Sequence, residues 1–304
     1  MVDIGLVADQ VITGLSIGAQ LFLVAIGLSL IFGVLDVLNF AHGALYMIGA
    51  YVAVTMVNGL TVFGVSFPRL GFWPGVIAAL VVVGVLGALI EMGFIRRLYG
   101  RQEEVLDQLL LTFAFVLILT DLTRITFGTG QFVISPPAGL QGTVRFTDSL
   151  AAPTYRAFLV VMSLVVLGAL FAVLRFTNIG RLVRATASDR DMARLLGIDV
   201  SRLYTGVFFV GALLAGLGGA LAAPVGAVSP AMGNQVIINA FVVVVIGGLG
   251  SFTGAFVGAY VIGLLIAVGS IVISGAGQLL PFLAMIAVLV LKPQGLFGGE
   301  EGAT

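Results

Sequence analysis

The side chains that carry most protein chemistry are scarce in this chain. One histidine, His42, and no cysteine stand among its 304 residues, so disulfides, thiolate metal centres and iron–sulfur clusters have no ligands, and a two-histidine metal motif cannot be assembled. The only lysine, Lys292, sits between Leu291 and Pro293. A Walker A loop needs Gly-Lys-Ser/Thr to hold phosphates, so the chain has no ATP site of that kind. Gly14-Leu15-Ser16-Ile17-Gly18 has the spelling of a nucleophile elbow, but that motif requires a strand–turn–helix setting and a general base. Here it lies in an apolar helical run, where Gly14 and Gly18 form a small-residue packing face. Metal, thiol and nucleotide chemistry recede, and the chain is not expected to be an enzyme.

The remaining polar groups stand in apolar surroundings. Asn39 and His42 occupy a break, Asn39-Phe40-Ala41-His42-Gly43, between two apolar runs. Asn39 either caps the following helix or, with His42, borders a translocation path, because polar side chains in a membrane face a protein interior or a water-filled cavity. Asp121 and Arg124 stand three apart and are expected to pair, while Glu91 and Asp107 flank a basic loop and read as structural pairs. No acidic group sits clearly at mid-depth of a span, which counts against a proton-coupled carrier.

The elements that position these groups follow from composition. Sixty per cent of residues are apolar and 9% are charged, against about 45–50% and about 25% in soluble domains. A water-soluble globule is excluded. Fourteen basic and fourteen acidic residues cancel, so no global field draws nucleic acid, which is not an expected partner. Long apolar runs near 11–35, 43–58, 72–95, 105–127, 155–176, 203–223, 236–255, 256–274 and 276–291 read as helices, since backbone groups facing lipid must be satisfied within the segment. The run 43–58 is short and interrupted by glycine, so it is either a span or a re-entrant segment. The fold expected is all-α and polytopic, a single domain over 1–304 with eight or nine transmembrane or re-entrant helices.

Met1–Gln10 carries Asp3 and Asp9 and no basic residue, so it lacks the basic start of a cleaved leader, and the first run is expected to stay as a span. Arg96, Arg97 and Arg101 follow the third run, Arg175 to Arg202 follow the fifth, and Lys292 follows the last. Positive charge marks cytoplasmic loops, and an even number of passes separates these three places. By the same count 128–154 is an external loop, with a strand-like Gln131–Ile134.

Two further patterns have mechanical meaning. Gly250, Gly254 and Gly258 stand at four-residue spacing beside a second row, Gly247, Ser251, Ala255, Ala259 and Gly263, which lets helix backbones approach closely. Gly247–Ser251 is also a place for a helix to break. In the basic segment after the fifth run, Ser188 and Asp191 form a capping box, Gly197 ends a short helix 189–196, and Ile198 lies just beyond. Met192, Leu195 and Leu196 are free to pack on another surface while Arg190 and Arg194 present charge. Such a helix lies on a membrane or docks into a partner's groove. Asp189, Asp191 and Asp199 argue against anionic lipid.

Three blocks occur in order: Asn39-Phe40-Ala41-His42-Gly43-Ala44; Arg184-Ala185-x-Ala187-x-Asp189 with Ala193 and Leu196-Gly197-Ile198; and Gly247-Gly248-Leu249-Gly250-Ser251. Together they resemble the permease subunits of branched-chain amino acid ABC importers, of the LivH-like kind, over about 11–292. Ser188 stands where many relatives carry a carboxylate. The resemblance implies a bacterial cytoplasmic (inner) membrane importer made of this subunit, a LivM-like second permease, two cytoplasmic ABC ATPases and an external solute-binding protein, surrounded by membrane lipid. ATP and Mg would belong to the ATPases, with no cofactor in this chain. It further implies a coupling loop at 177–202, with Arg184, Asp189, Ala193 and Gly197 engaging the ATPases, and a pathway bordered by Asn39, His42, Asn234 and Asn239. A permease for urea or short amides and a self-contained secondary transporter are the alternatives.

Overall fold

The computed structural model describes residues 4–99, 104–147, 150–272, 277 and 279–298; Arg101, Asp3 and part of the join between the last two apolar runs lie outside them. Helices α1 (Ile4–Leu35), α2 (Ala41–Asn58), α3 (Phe72–Gly93), α4 (Glu104–Phe127) and α5 (Thr154–Phe176) are followed by two short ones, α6 (Asn178–Ser188) and α7 (Arg190–Leu195). Then come α8 (Val200–Ala222), α9 (Met232–Gly247), α10 (Phe252–Val272) and α11 (Leu280–Leu291). Among the described residues nine helices answer to the nine apolar runs, but the boundary expected at 255/256 lies at 248–251, where α9 ends at Gly247 and α10 begins at Phe252. Among the described residues six stretches, beginning in α1, α3, α4, α5, α8 and α10, are long and apolar enough to cross a membrane. α2, α9 and α11 are shorter, at 18, 16 and 12 residues. The fold is all-α and polytopic.

Burial follows from how apolar each helix is around its whole circumference. α1 is buried without a gap from Leu21 to Ile31, α2 from Ala41 to Met47, and α8 from Leu214 to Ala222. α8 packs against α1, α2 and α3, and α10 lies along α1. α4 and α5 stand at the edge and turn Leu110, Phe113 and Leu117, or Val161, Leu164 and Val165, outward, as lipid-facing helices do. Glycine sets the α1–α10 distance: a methyl group at Gly18 would lie 2.9 Å from the Tyr260 Cα, and one at Gly14 would lie 2.9 Å from the Leu264 Cα. Gly254 and Gly258 face α9, at Gly247 and Val243. Gly250 is not on that helix face. It lies in the turn between α9 and α10 at φ +83°, packed on Gly33 of α1.

The two ends of the bundle differ. At one end β1 (Thr61–Val62) pairs with β2 (Val65–Ser66), and β3 (Thr143–Thr147) with β4 (Leu150–Pro153), both antiparallel. Trp73 on Phe158 (5.7 Å) and Phe72 on Tyr155 (6.1 Å) join α3 to α5 there. The expected strand at Gln131–Ile134 is only a single bridge, Phe132 to Val228, and the strand pair of the loop is β3 with β4 instead. At the basic end stand a 3-10 turn (Ile95–Leu98), α6, α7 and the α9–α10 turn. The segment after α11 folds onto that turn: Leu296 N–H donates to the Ile246 carbonyl (2.8 Å) and Phe297 N–H to that of Gly247 (2.9 Å).

Candidate functional site

α2 does not begin opposite the last residue of α1. Asp36 takes φ +56° just after α1 ends, and the chain returns so that His42 meets Val24, in the middle of α1. The His42 ring is fully buried, with Nε2 3.1 Å from the Val24 carbonyl oxygen. A carbonyl only accepts, so Nε2 carries the proton and Nδ1 is left as an acceptor. The ring has room because Gly27 lacks a side chain: a methyl there would lie 3.0 Å from the ring and 2.6 Å from the Gly211 carbonyl of α8.

Asn39 does not cap α2. Phe40 occupies the cap position, already in helical geometry, with no side-chain hydrogen bond, which sets Asn39 one residue too early. Its backbone carbonyl accepts from the His42 N–H (3.2 Å), while its side-chain oxygen and nitrogen are buried without a protein partner, as is His42 Nδ1. Buried polar atoms left unpaired cost about 1–3 kcal/mol each, and such places are where water or solute is held. Asn234 and Asn239 are not joined to this cluster by hydrogen bonds. Both lie on α9, Asn234 exposed and Asn239 half-buried, whereas Gly233 and Ile237 are the residues packed on Gly43 of α2.

The segment between α5 and α8 holds two helices where the sequence indicates one. Thr177 caps α6, its Oγ1 accepting from the Gly180 N–H (3.1 Å), and Ile179, Leu182, Val183 and Thr186 give α6 a helical period. α6 therefore continues through Ser188, and the cap of α7 is Asp189, one residue beyond the expected capping box. Its carboxylate accepts from the Met192 N–H at 2.9 Å. α7 ends in a Schellman motif, with Gly197 N–H to the Arg194 carbonyl (3.0 Å) and Ile198 N–H to that of Ala193 (3.1 Å). Gly197 stands at φ +83° with open space around it, so backbone geometry rather than crowding selects glycine there.

The four residues singled out in this segment have separate tasks. Arg184 donates to the Leu174 carbonyl at the end of α5, which ties α6 to the membrane helix. Asp189 and Gly197 start and stop α7. Ala193, only 2% exposed, is the buried contact of α7. Met192, Leu195 at 82% and Leu196, the cap residue that follows α7, at 74% exposure are turned outward. Arg194 is also exposed, 3.6 Å from Asp191, while Arg190 lies 6.0 Å over the Tyr204 ring.

Among the expected acid–base pairs, Asp121 and Arg124 meet at 3.0 Å on the surface of α4. Asp107 and Arg97 line one shallow cavity of about 440 Å³ with Phe94 and Leu110. Glu91 makes no ion pair within 4 Å among the described residues, but the charge of Arg96 in the basic loop acts on it. It is fully buried and accepts from the Thr205 hydroxyl at 2.6 Å and the Tyr99 hydroxyl at 3.4 Å. Thr205 is 114 residues away, so nothing in the local sequence marks this contact.

A family profile described as "Branched-chain amino acid transport system / permease component" matches residues 10–289. The high-affinity branched-chain amino acid transport system permease protein LivH of Escherichia coli (strain K12) is 29% identical over 297 residues, covering 96% of this chain and 96% of that protein. The corresponding BraD protein of Pseudomonas aeruginosa is 29% identical over 299 residues, with 96% of each chain covered. The probable branched-chain amino acid transport permease protein LivH of Methanocaldococcus jannaschii is 29% identical over 291 residues, 91% of this chain and 88% of that one. No solved structure matches the chain. With its multi-pass helical architecture and a match running through nearly its whole length, the chain belongs to the family of branched-chain amino acid transport system permease components.

Proposed function

We propose that this chain is one of two permeases in an ATP-driven importer of branched-chain amino acids in the bacterial cytoplasmic membrane. A LivM-like permease is its neighbour, two ABC ATPases bind at the basic end, and an external solute-binding protein delivers solute to the hairpin-bearing end. The names of the relatives supply the solute class. Arg96, Arg97, the arginines of 175–202 and Lys292 share the end that faces the cytoplasm on the positive-inside rule.

The observation that carries the reading is the form of α7. It is fixed at both ends by Asp189 and Gly197, seated by Ala193, and turns Leu195 and Leu196 into solvent. Exposed apolar anchors on a short, rigidly capped helix fit a groove on a partner protein. An ATPase pair that binds α7 differently in its ATP-closed and open states shifts the permease between two arrangements by that difference in affinity. On this reading the unpaired Asn39 and His42 atoms border the route taken by the solute, with Asn234 and Asn239 at its margin.

Purification of the tagged chain from native membranes in mild detergent tests the assembly. The expected result is recovery of two ATPases and a second permease, and ATP hydrolysis stimulated by solute-loaded binding protein. Recovery of the chain alone, still moving solute in vesicles, overturns it in favour of a self-contained carrier.

A further inference from the structure

Glu91 is a buried acidic group that lies apart from both α7 and the His42 cluster. It lies in the last turns of α3 and reaches α8 through Thr205 (Oγ1 to Oε2, 2.6 Å), while Tyr99, beyond the 3-10 turn, donates to Oε1 at 3.4 Å. The residue before Thr205 is Tyr204, which is buried and packs edge-to-face on Tyr99 at 5.2 Å. Arg190, the first residue of α7, lies over the other part of this aromatic pair, 6.0 Å from the Tyr204 ring. From α7 inward the contacts therefore run Arg190, Tyr204 with Thr205, then Tyr99 with Glu91.

Two hydroxyls hydrogen-bond this carboxylate and the nearby Arg96 charge acts on it as well, and a buried carboxylate is costly to leave without donors. Separating α3 from α8 at this end removes the Thr205 donor and leaves Glu91 with only the longer Tyr99 hydrogen bond, whereas moving the two helices together keeps every bond. The same pair of helices is packed further along by glycine: a methyl at Gly216 of α8 would lie 2.9 Å from the Ala79 carbonyl of α3. α8 also carries Gly211, against the slot that holds His42. The knot around Glu91 thus stands between α7 and the buried polar cluster.

We propose that Glu91 is a positioning residue that makes α3 and α8 move as one body when α7 is displaced, so that transport depends on its bond to Thr205 and ATP hydrolysis does not. This rests on the function proposed above. The bond fixes which helices travel together, a discrete two-state arrangement of the kind that carries coupling between distant sites.

The test uses the assembled importer in proteoliposomes and reads solute molecules moved per ATP hydrolysed, with Glu91→Leu, Glu91→Gln, Thr205→Val and the double variant Glu91→Leu/Thr205→Val. The expected loss in Glu91→Leu and in Thr205→Val is about tenfold in that ratio, within the range usual for coupling between sites. Hydrolysis is expected to persist, and Glu91→Gln, whose amide oxygen still accepts from Thr205, to keep most of the ratio. The double variant should be no worse than either single one, because both remove the same bond. A purely structural role would lower the yield or melting temperature and leave the ratio of the surviving complex unchanged. An unchanged ratio in Thr205→Val, the milder variant if Glu91→Leu does not assemble, overturns the proposal, as does multiplication of the two effects. If the unaltered complex itself shows no ATP-driven transport, the function proposed above fails; if it transports and the variants transport equally well, only the role of Glu91 fails.

Discussion

The His42 ring donates through Nε2 to the carbonyl of Val24, 3.1 Å away and eighteen residues earlier in the chain. This bond sets the depth of α2. It joins the first turn of a buried 18-residue helix to the middle of a 32-residue one, and Nδ1, like the Asn39 amide, is buried without a protein partner.

Replacement of His42 by leucine removes the second donor to the Val24 carbonyl and is expected to cost about 0.5–1.5 kcal/mol, the net worth of one hydrogen bond. Glutamine, whose terminal amide nitrogen replaces the Nε2 donor, is expected to keep most of the stability. Thermal unfolding of the purified complex, followed beside solute uptake, checks both. Equal stability of the leucine and glutamine variants would show that the bond to Val24 contributes nothing.

Gly197→Ala places a side chain at φ +83° and is expected to cost about 1–2 kcal/mol of local helix-end stability; Gly197→Pro also removes the N–H that bonds the Arg194 carbonyl. Since α7 is exposed on most of its surface, the amount of chain in the membrane should stay unchanged while transport per ATP falls. Normal uptake by Gly197→Pro, or by Arg184→Glu, would contradict a coupling role for this segment.

Leu195→Asp with Leu196→Asp alters two side chains that are largely exposed. The permease itself is expected to fold as before, because surface substitutions away from special features shift stability by about 0.5 kcal/mol or less. Recovery of the ATPases with the tagged variant is expected to fall at least tenfold, the equivalent of roughly 1.4 kcal/mol of binding free energy. Undiminished recovery would place the docking surface elsewhere.

Two glycines give a paired test of helix packing. A side chain at Gly263 would run into the Gly14 carbonyl oxygen and the Gly18 nitrogen, whereas Gly168 on α5 has open space around it. Gly263→Val is expected to prevent α10 from seating on α1 and to abolish recovery of monodisperse protein in size-exclusion chromatography, since overpacking against rigid backbone costs about 1–3 kcal/mol or more. Gly168→Val should elute as the unaltered protein does.

The sequence makes the spans legible because lipid imposes one strong rule, a long apolar helix, which six of the described stretches obey in full while α2, α9 and α11 are shorter. The order and ends of α7 were nearly legible as well: Gly197 is where the Schellman motif needs it. The cap was misplaced by one residue because Ser188 and Asp189 are both good caps, and only the extended backbone of Asp189, φ −153° and ψ 104°, decides between them. α6 was hidden for a related reason, since its charged residues obscure the period of Ile179, Leu182, Val183 and Thr186. The β3–β4 hairpin carried a readable alternation, Val144 and Phe146 around Arg145. What no local pattern contains is depth and distance: that α2 starts beside Val24, that Gly250 turns to α1 while Gly254 turns to α9, and that Glu91 finds its donor on Thr205.

The most direct test of the central claim is leucine uptake into proteoliposomes that carry solute-loaded binding protein outside and ATP with Mg inside. The account predicts uptake when this chain, the second permease and both ATPases are present, and none when this chain is reconstituted alone or when ATP is withheld. ATP-independent leucine uptake by the chain alone would contradict it.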